Sequence, residues 1–207
     1  MNWRATRFIV FKTLESSFSY LDAIAFAMVF GAVLFNWPET ALIASGTLGV
    51  AAAALAPLQH RRIASISNVR YFAAPLYGRE LARAFALGPC ITLAVFSGGA
   101  IFLYSLVRHR AVSQYGWMVF GTLVSAEVVA TLIALSGCFR AGQQRVLYAV
   151  LAMIAGIAIW MLGVAGTPLT LVCAVLAAVA IGFAALRALG ETLARYDPVD
   201  DLTLSAP

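Results

Sequence analysis

The sequence predicts an all-α integral membrane protein with six transmembrane helices, both termini in the cytoplasm, and an N-terminal amphipathic helix at the membrane interface. Hydrophobic residues make up 62% of the 207 residues and charged residues only 11%, against roughly 25% charged in soluble domains. The mean hydropathy is +0.91. Long apolar runs recur along the chain, and the positive charges fall between them on alternate connections. This composition excludes an ordinary soluble domain.

The first predicted element is an interfacial helix over residues 1–16. Trp3, Phe8 and Phe11 recur at helical spacing, with Arg4 and Arg7 between them. The pattern is typical of a helix that lies in the headgroup region, with aromatic side chains toward the lipid and arginines toward the headgroups. The alternative is a basic lead-in to the first span without a helix of its own.

Six apolar runs follow, each near the roughly 20 residues that a helix needs to cross a bilayer. Pro38 and Pro168 stand in short connections, so the first two spans and the last two are expected to form antiparallel hairpins. The spans are also rich in Gly and Ala, which allow membrane helices to approach closely. The predicted spans are 18–36, 40–58, 84–107, 115–138, 146–164 and 168–188.

A polar stretch over residues 57–83, here called the basic loop, separates the second and third spans. Together with the N-terminal segment, the 139–145 connection and a tail over 189–207, it carries most of the positive charge. All but Arg108 and Arg110 of the 14 Lys and Arg residues then lie on one side. By the positive-inside rule that side is the cytoplasm. We interpret the net charge of +5 as topology anchors beside anionic lipid, and expect no nucleic-acid partner.

Glu127 is a carboxylate near the middle of a predicted span, with Ser125 close by. An ionised side chain is expensive in the bilayer, so intramembrane acids usually face a bundle interior or an aqueous path. Two interpretations stay open for this possible intramembrane polar site. Glu127 either contacts a proton, a cation or a headgroup, or it forms a hydrogen bond to a neighbouring helix.

The sequence holds no pattern for catalysis, metal binding or nucleotide binding. His60 and His109 fall on opposite sides of the predicted membrane, and the three cysteines form no CxxC pair. A P-loop motif is absent, and Lys12 is the only lysine. We therefore predict no catalytic residues, no metal and no cofactor in this chain, which is not expected to be an enzyme.

The passage leading into the third span resembles a known family. Residues 72–84 read Phe-Ala-Ala-Pro-Leu-Tyr-Gly-Arg-Glu-Leu-Ala-Arg-Ala. This is similar to the Leu-Pro-x-x-Arg-x-Glu-hydrophobic passage of the membrane, or permease, subunit of type-two ABC exporters. The predicted topology resembles that family as well, including the N-terminal segment, which is similar to its interfacial elbow helix. The chain departs from it in the nearly absent loop between the fifth and sixth spans.

The resemblance implies a permease subunit of an ATP-driven exporter in a bacterial cytoplasmic membrane. A separate cytoplasmic ATPase subunit would dock on the basic loop, at Arg61, Arg62, Arg70, Tyr71, Arg79 and Glu80. A second permease subunit, either the same chain or a paralogue, would complete the transporter among membrane lipids. The short exterior and apolar walls favour a lipid-like or amphipathic cargo. The alternatives are a non-transporting six-span assembly subunit and a proton-linked carrier centred on Glu127.

Overall fold

A computed structural model describes the chain in nine stretches and single positions. Apart from short turns these residues are helical, and no strand occurs among them. The predicted all-α class is therefore confirmed. The described residues are 3–17, 39–58, 76, 78–88, 90, 91, 95, 114–140 and 142–196.

Six helices are present in the described part of the chain, numbered here in order. A 3-10 turn over Ala56–Leu58 extends the second of them. They are α1 (Trp3–Ser17), α2 (Glu39–Leu55), α3 (78–88), α4 (Gln114–Cys138), α5 (Gln143–Val164) and α6 (Pro168–Arg195).

Helices α2, α4 and α5 lie where the second, fourth and fifth spans were predicted, whereas α3 extends before the predicted start of the third span and α6 extends past the predicted end of the sixth. Helix α3 already includes residue 78, inside the basic loop, and α6 continues past residue 188 to Arg195. Both extensions are polar, so hydropathy did not reveal them. An ion pair of 3.1 Å between Arg187 and Glu191, one turn apart, accompanies the added turns of α6. The first predicted span, 18–36, lies outside the described residues.

The connection between α5 and α6 is a tight turn, as expected. Gly166 has φ 69°, in the left-handed region that favours glycine. Thr167 then caps α6: its hydroxyl accepts from the Thr170 N–H at 3.2 Å, and Thr170 Oγ1 accepts from the Thr167 N–H at 3.1 Å. Pro168 takes the first helical position, where a missing N–H costs nothing. Because α5 and α6 also contact each other, the two helices form a hairpin.

Helix α4 is the centre of the described bundle and contacts α2, α5 and α6. The share of the most apolar part of each long helix that is buried follows this arrangement. It is 61% in α4, 33% in α5 and 17% in α6. All three helices are long and apolar enough to cross a membrane. Large apolar side chains on the outer face of α6, such as Leu169, Val179 and Phe183, are exposed, as lipid contact would require. The number of crossings and the side on which the termini lie remain predictions.

Small residues bring α2, α4 and α5 close together. Val50, Ala126, Ala130 and Ala152 are fully buried where these helices meet. The largest buried side chain is Trp160 of α5, and its indole Nε1 donates a hydrogen bond of 3.3 Å to the Ile43 carbonyl of α2. The bundle therefore has a closely packed interior, as the Gly and Ala content of these segments indicated.

Candidate functional site

Helix α1 has one buried and one exposed face. Thr6 and Ile9 are buried against the bundle, whereas Trp3, Phe8 and Phe11 are 66%, 45% and 61% exposed. Arg4 and Arg7 are exposed as well. Helical spacing places Trp3, Arg7 and Phe11 above one another, as it does Arg4 and Phe8, so arginines and aromatics share one face. The aromatic residues and the arginines therefore do not lie on opposite sides of α1, as was expected. Long arginine side chains on such a face can extend outward past the rings.

The inner face of α1 belongs to a cluster that joins four helices at one end of the bundle, here called the buried junction. Phe139, directly after α4, makes two aromatic contacts within the buried junction. Its ring centroid lies 5.7 Å from that of Phe85 in α3 and 5.1 Å from that of Tyr196 after α6. The main members of the buried junction are Ile9, Leu76, Leu81, Phe85, Leu135, Cys138, Phe139, Leu189 and Leu193.

The end of the basic loop enters this junction. Arg61, Arg62, Arg70 and Tyr71 lie outside the described residues, so only Arg79 and Glu80 of the predicted docking set are placed. Arg79 is exposed and Glu80 is half-buried at the start of α3. The backbone of Arg79 crosses α6 at Gly190, where a methyl group would lie 3.3 Å from Arg79 Cα. Because Leu81 is buried in the junction directly afterward, the loop's exit is fixed to both α6 and the interior.

Gly190→Val is expected to lower the free energy of unfolding by about 2 kcal/mol, because the added side chain would push the first turn of α3 away from α6. The matched control is Gly182→Val in the same helix, where a new Cβ would meet only Val129 Cγ2, at 3.7 Å. Thermal unfolding of both variants in one detergent measures the difference. Equal stability of the two variants would show that α3 does not cross α6 this closely.

Glu127 lies on α4 and is buried, with 8% of its surface exposed. It faces Gly49 of α2, where a methyl group would lie 2.8 Å from Glu127 Oε1. Its main-chain oxygen accepts a hydrogen bond of 2.9 Å from Thr131 Oγ1. The carboxylate therefore occupies a place that glycine leaves open between two helices, which makes it an interhelical contact whatever else it does.

Ser125 does not join this contact. Two residues along a helix correspond to a rotation of roughly 200°, which turns Ser125 away from the face of Glu127. Its hydroxyl donates a hydrogen bond of 2.7 Å to the Gly121 carbonyl of its own helix. Thr122 and Thr131 are the buried polar residues of α4 nearest to Glu127 in sequence. In the described part of the chain no three His, Cys, Asp or Glu side chains come together as a metal site would require.

Sequence reasoning missed three residues that position these regions. Gly190 was assigned to the polar tail. Trp160 was passed over as part of an apolar segment, although the glycines on either side of it, at Gly156 and Gly163, indicated close helix contact. Arg140 was counted only as a topology anchor. Comparison of the chain with family models, with curated proteins and with solved structures finds no match, so the family resemblance rests on the sequence and its predicted topology.

Proposed function

We propose that this chain is an integral membrane protein and the permease subunit of an ATP-driven exporter, working with a separate cytoplasmic ATPase subunit. One observation carries the proposal beyond the sequence resemblance. The exit of the basic loop packs across Gly190 of α6 and continues into the buried junction with α1 and α4. The segment proposed to receive a partner is thus attached to the helices proposed to move.

The proposed mechanism follows from that attachment. ATP binding and hydrolysis occur in the partner, which pushes on the basic loop. Closely packed interiors transmit strain, so a displacement at Arg79 and Leu81 moves α6 and α4. A second permease subunit, the same chain or a paralogue, faces the first across the cargo path in a bacterial cytoplasmic membrane. The exposed apolar faces of α5 and α6 suit a lipid-like or amphipathic cargo that leaves through the bilayer.

Arg61→Glu with Arg62→Glu is expected to sharply reduce the ATPase that co-purifies with the tagged chain, because two charges of the proposed docking surface are reversed. The matched control is Arg108→Glu with Arg110→Glu, the same charge change on the predicted opposite side. Gentle-detergent purification, mass spectrometry of the eluate and an ATPase assay make the measurement. A P-loop ATPase retained equally by both double variants would refute docking on the basic loop.

A second candidate is an assembly subunit without a transport path. The packing of Glu127 against Gly49 favours it, because a carboxylate wedged between α2 and α4 resembles a fixed contact more than a point on a cargo route. In that case the purification should yield other membrane proteins and no ATPase. A proton-linked carrier using Glu127 is the third candidate, and replacing this carboxylate by an amide tests it.

A further inference from the structure

Arg140 is a half-buried cation with only neutral partners in the described part of the chain. Its Nη2 donates a hydrogen bond of 3.2 Å to Thr192 Oγ1, and its guanidinium carbon lies 4.7 Å from the centre of the Tyr148 ring. The Nε atom is buried and has no hydrogen-bond partner. Arg145 adds a second cation to the same turn, since its Nε donates a hydrogen bond of 2.6 Å to the Arg140 carbonyl.

Among the described residues, the Arg140 guanidinium lacks the negative group that its chemistry calls for. A guanidinium keeps its charge and offers five N–H donors, and buried charges in proteins are ordinarily paired. Among the described residues no carboxylate forms an ion pair with Arg140, and nearby Glu191 is engaged by Arg187 at 3.1 Å. An unsatisfied buried donor destabilises the fold, so a bound hydrogen-bond acceptor would be stabilising at this site.

Three helix ends surround the site. Arg140 follows α4, Tyr148 lies near the start of α5, and Thr192 lies near the end of α6. Helix α5 begins at Gln143, and the preceding Gly142 provides no side-chain cap, so the first N–H groups add partial positive charge at the same end of the bundle. The two cations, the ring and the uncapped helix start thus give this end of the bundle a positive character.

We propose that Arg140, with Arg145, binds an anionic phosphate group, either the headgroup of a lipid or a free phosphate ion. The planar guanidinium matches phosphate oxygens, to which it donates parallel hydrogen bonds. Basic recesses between membrane helices on the cytoplasmic side are suited to anionic headgroups, and the 139–145 connection is predicted to lie on that side. The inference does not depend on whether the chain exports anything.

The test compares lipid retention and phosphate binding by the full-length purified chain. Native mass spectrometry counts the lipids kept from micelles that contain equal amounts of phosphatidylglycerol and phosphatidylcholine. Inorganic phosphate is titrated separately against the thermal stability of the lipid-depleted chain. We expect selective retention of phosphatidylglycerol, reduced about tenfold by Arg140→Gln. The control Arg195→Gln removes an exposed cation from the last turn of α6 and should leave retention unchanged.

Each outcome decides the proposal. Retention of phosphatidylglycerol without a phosphate effect identifies a lipid headgroup, and stabilisation by inorganic phosphate that Arg140→Gln removes identifies the free ion. Equal retention of both lipids by the unaltered chain, with no effect of phosphate, overturns the site even if the variant fails to fold. An equal loss in Arg195→Gln overturns it too, because general surface charge would then be responsible.

Discussion

Gly46→Ala is expected to lower the free energy of unfolding by about 3 kcal/mol, and with it the unfolding midpoint by about 10 °C. Gly46 of α2 faces the ring of Trp160 in α5, and a methyl group there would lie 2.6 Å from Trp160 Cε2. The ring is 1% exposed and hydrogen-bonded to Ile43, so it has little room to retreat. Relief of the overlap therefore requires α2 and α5 to separate.

Gly121→Ala is the matched control for this substitution. It makes the same chemical change in α4 at an exposed position where a new Cβ would meet nothing within 4 Å. Because alanine favours a helix over glycine by roughly 1 kcal/mol, the control should be neutral or slightly stabilising. Thermal unfolding of both purified variants, followed by circular dichroism in one detergent, gives the comparison. Matching midpoints would mean that α2 does not pack on Trp160 through Gly46.

The limits of α4 and the end of α5 could be predicted from the sequence because apolar composition and helical length coincide there. The start of α3 and the end of α6 could not. Arg79 and Arg83 in α3, and Glu191 and Arg195 in α6, are polar, so a hydropathy pattern ends before the helix does. What keeps these turns helical is packing in the buried junction, above all of Leu81 and Leu193. Contacts between distant segments decide such boundaries, and a single sequence does not display them.

In the candidate site, too, some features could be predicted from the sequence and others could not. The depth of Glu127 in its span was evident from sequence, but its partner Gly49 was not, because the partner depends on how α2 and α4 rotate about their axes. Proximity along the chain suggested Ser125 as a companion, yet the helical turn points it elsewhere. For Arg140 the charge was visible and its surroundings were not. The buried Nε without an acceptor appears only when the ends of α4, α5 and α6 are brought together.

Gly49→Ala is expected to cost about 2 kcal/mol in the otherwise unaltered chain and close to nothing in a Glu127→Ala background. The reason is that the new methyl group would meet Glu127 Oε1 at 2.8 Å and no other atom this closely. Removing the carboxylate removes the overlap, so the two substitutions should show a coupling energy of about 2 kcal/mol. Unfolding midpoints of the two single variants and the double variant give the cycle. An equal cost of Gly49→Ala in both backgrounds would contradict the contact.

The isosteric change Glu127→Gln then separates structure from transport. It keeps the shape that fills the space beside Gly49, so folding and assembly should be unchanged. Unlike the carboxylate, however, it can neither ionise nor carry a proton. If the chain is an exporter or an assembly subunit, its activity or complex should also persist, because Glu127 then serves as a contact between helices that glutamine can preserve. Loss of transport with stability and co-purifying partners intact would instead make the carboxylate itself part of the path. The coupling cycle and this variant together distinguish a helix contact from a proton site, since only a proton site requires the charge that glutamine lacks.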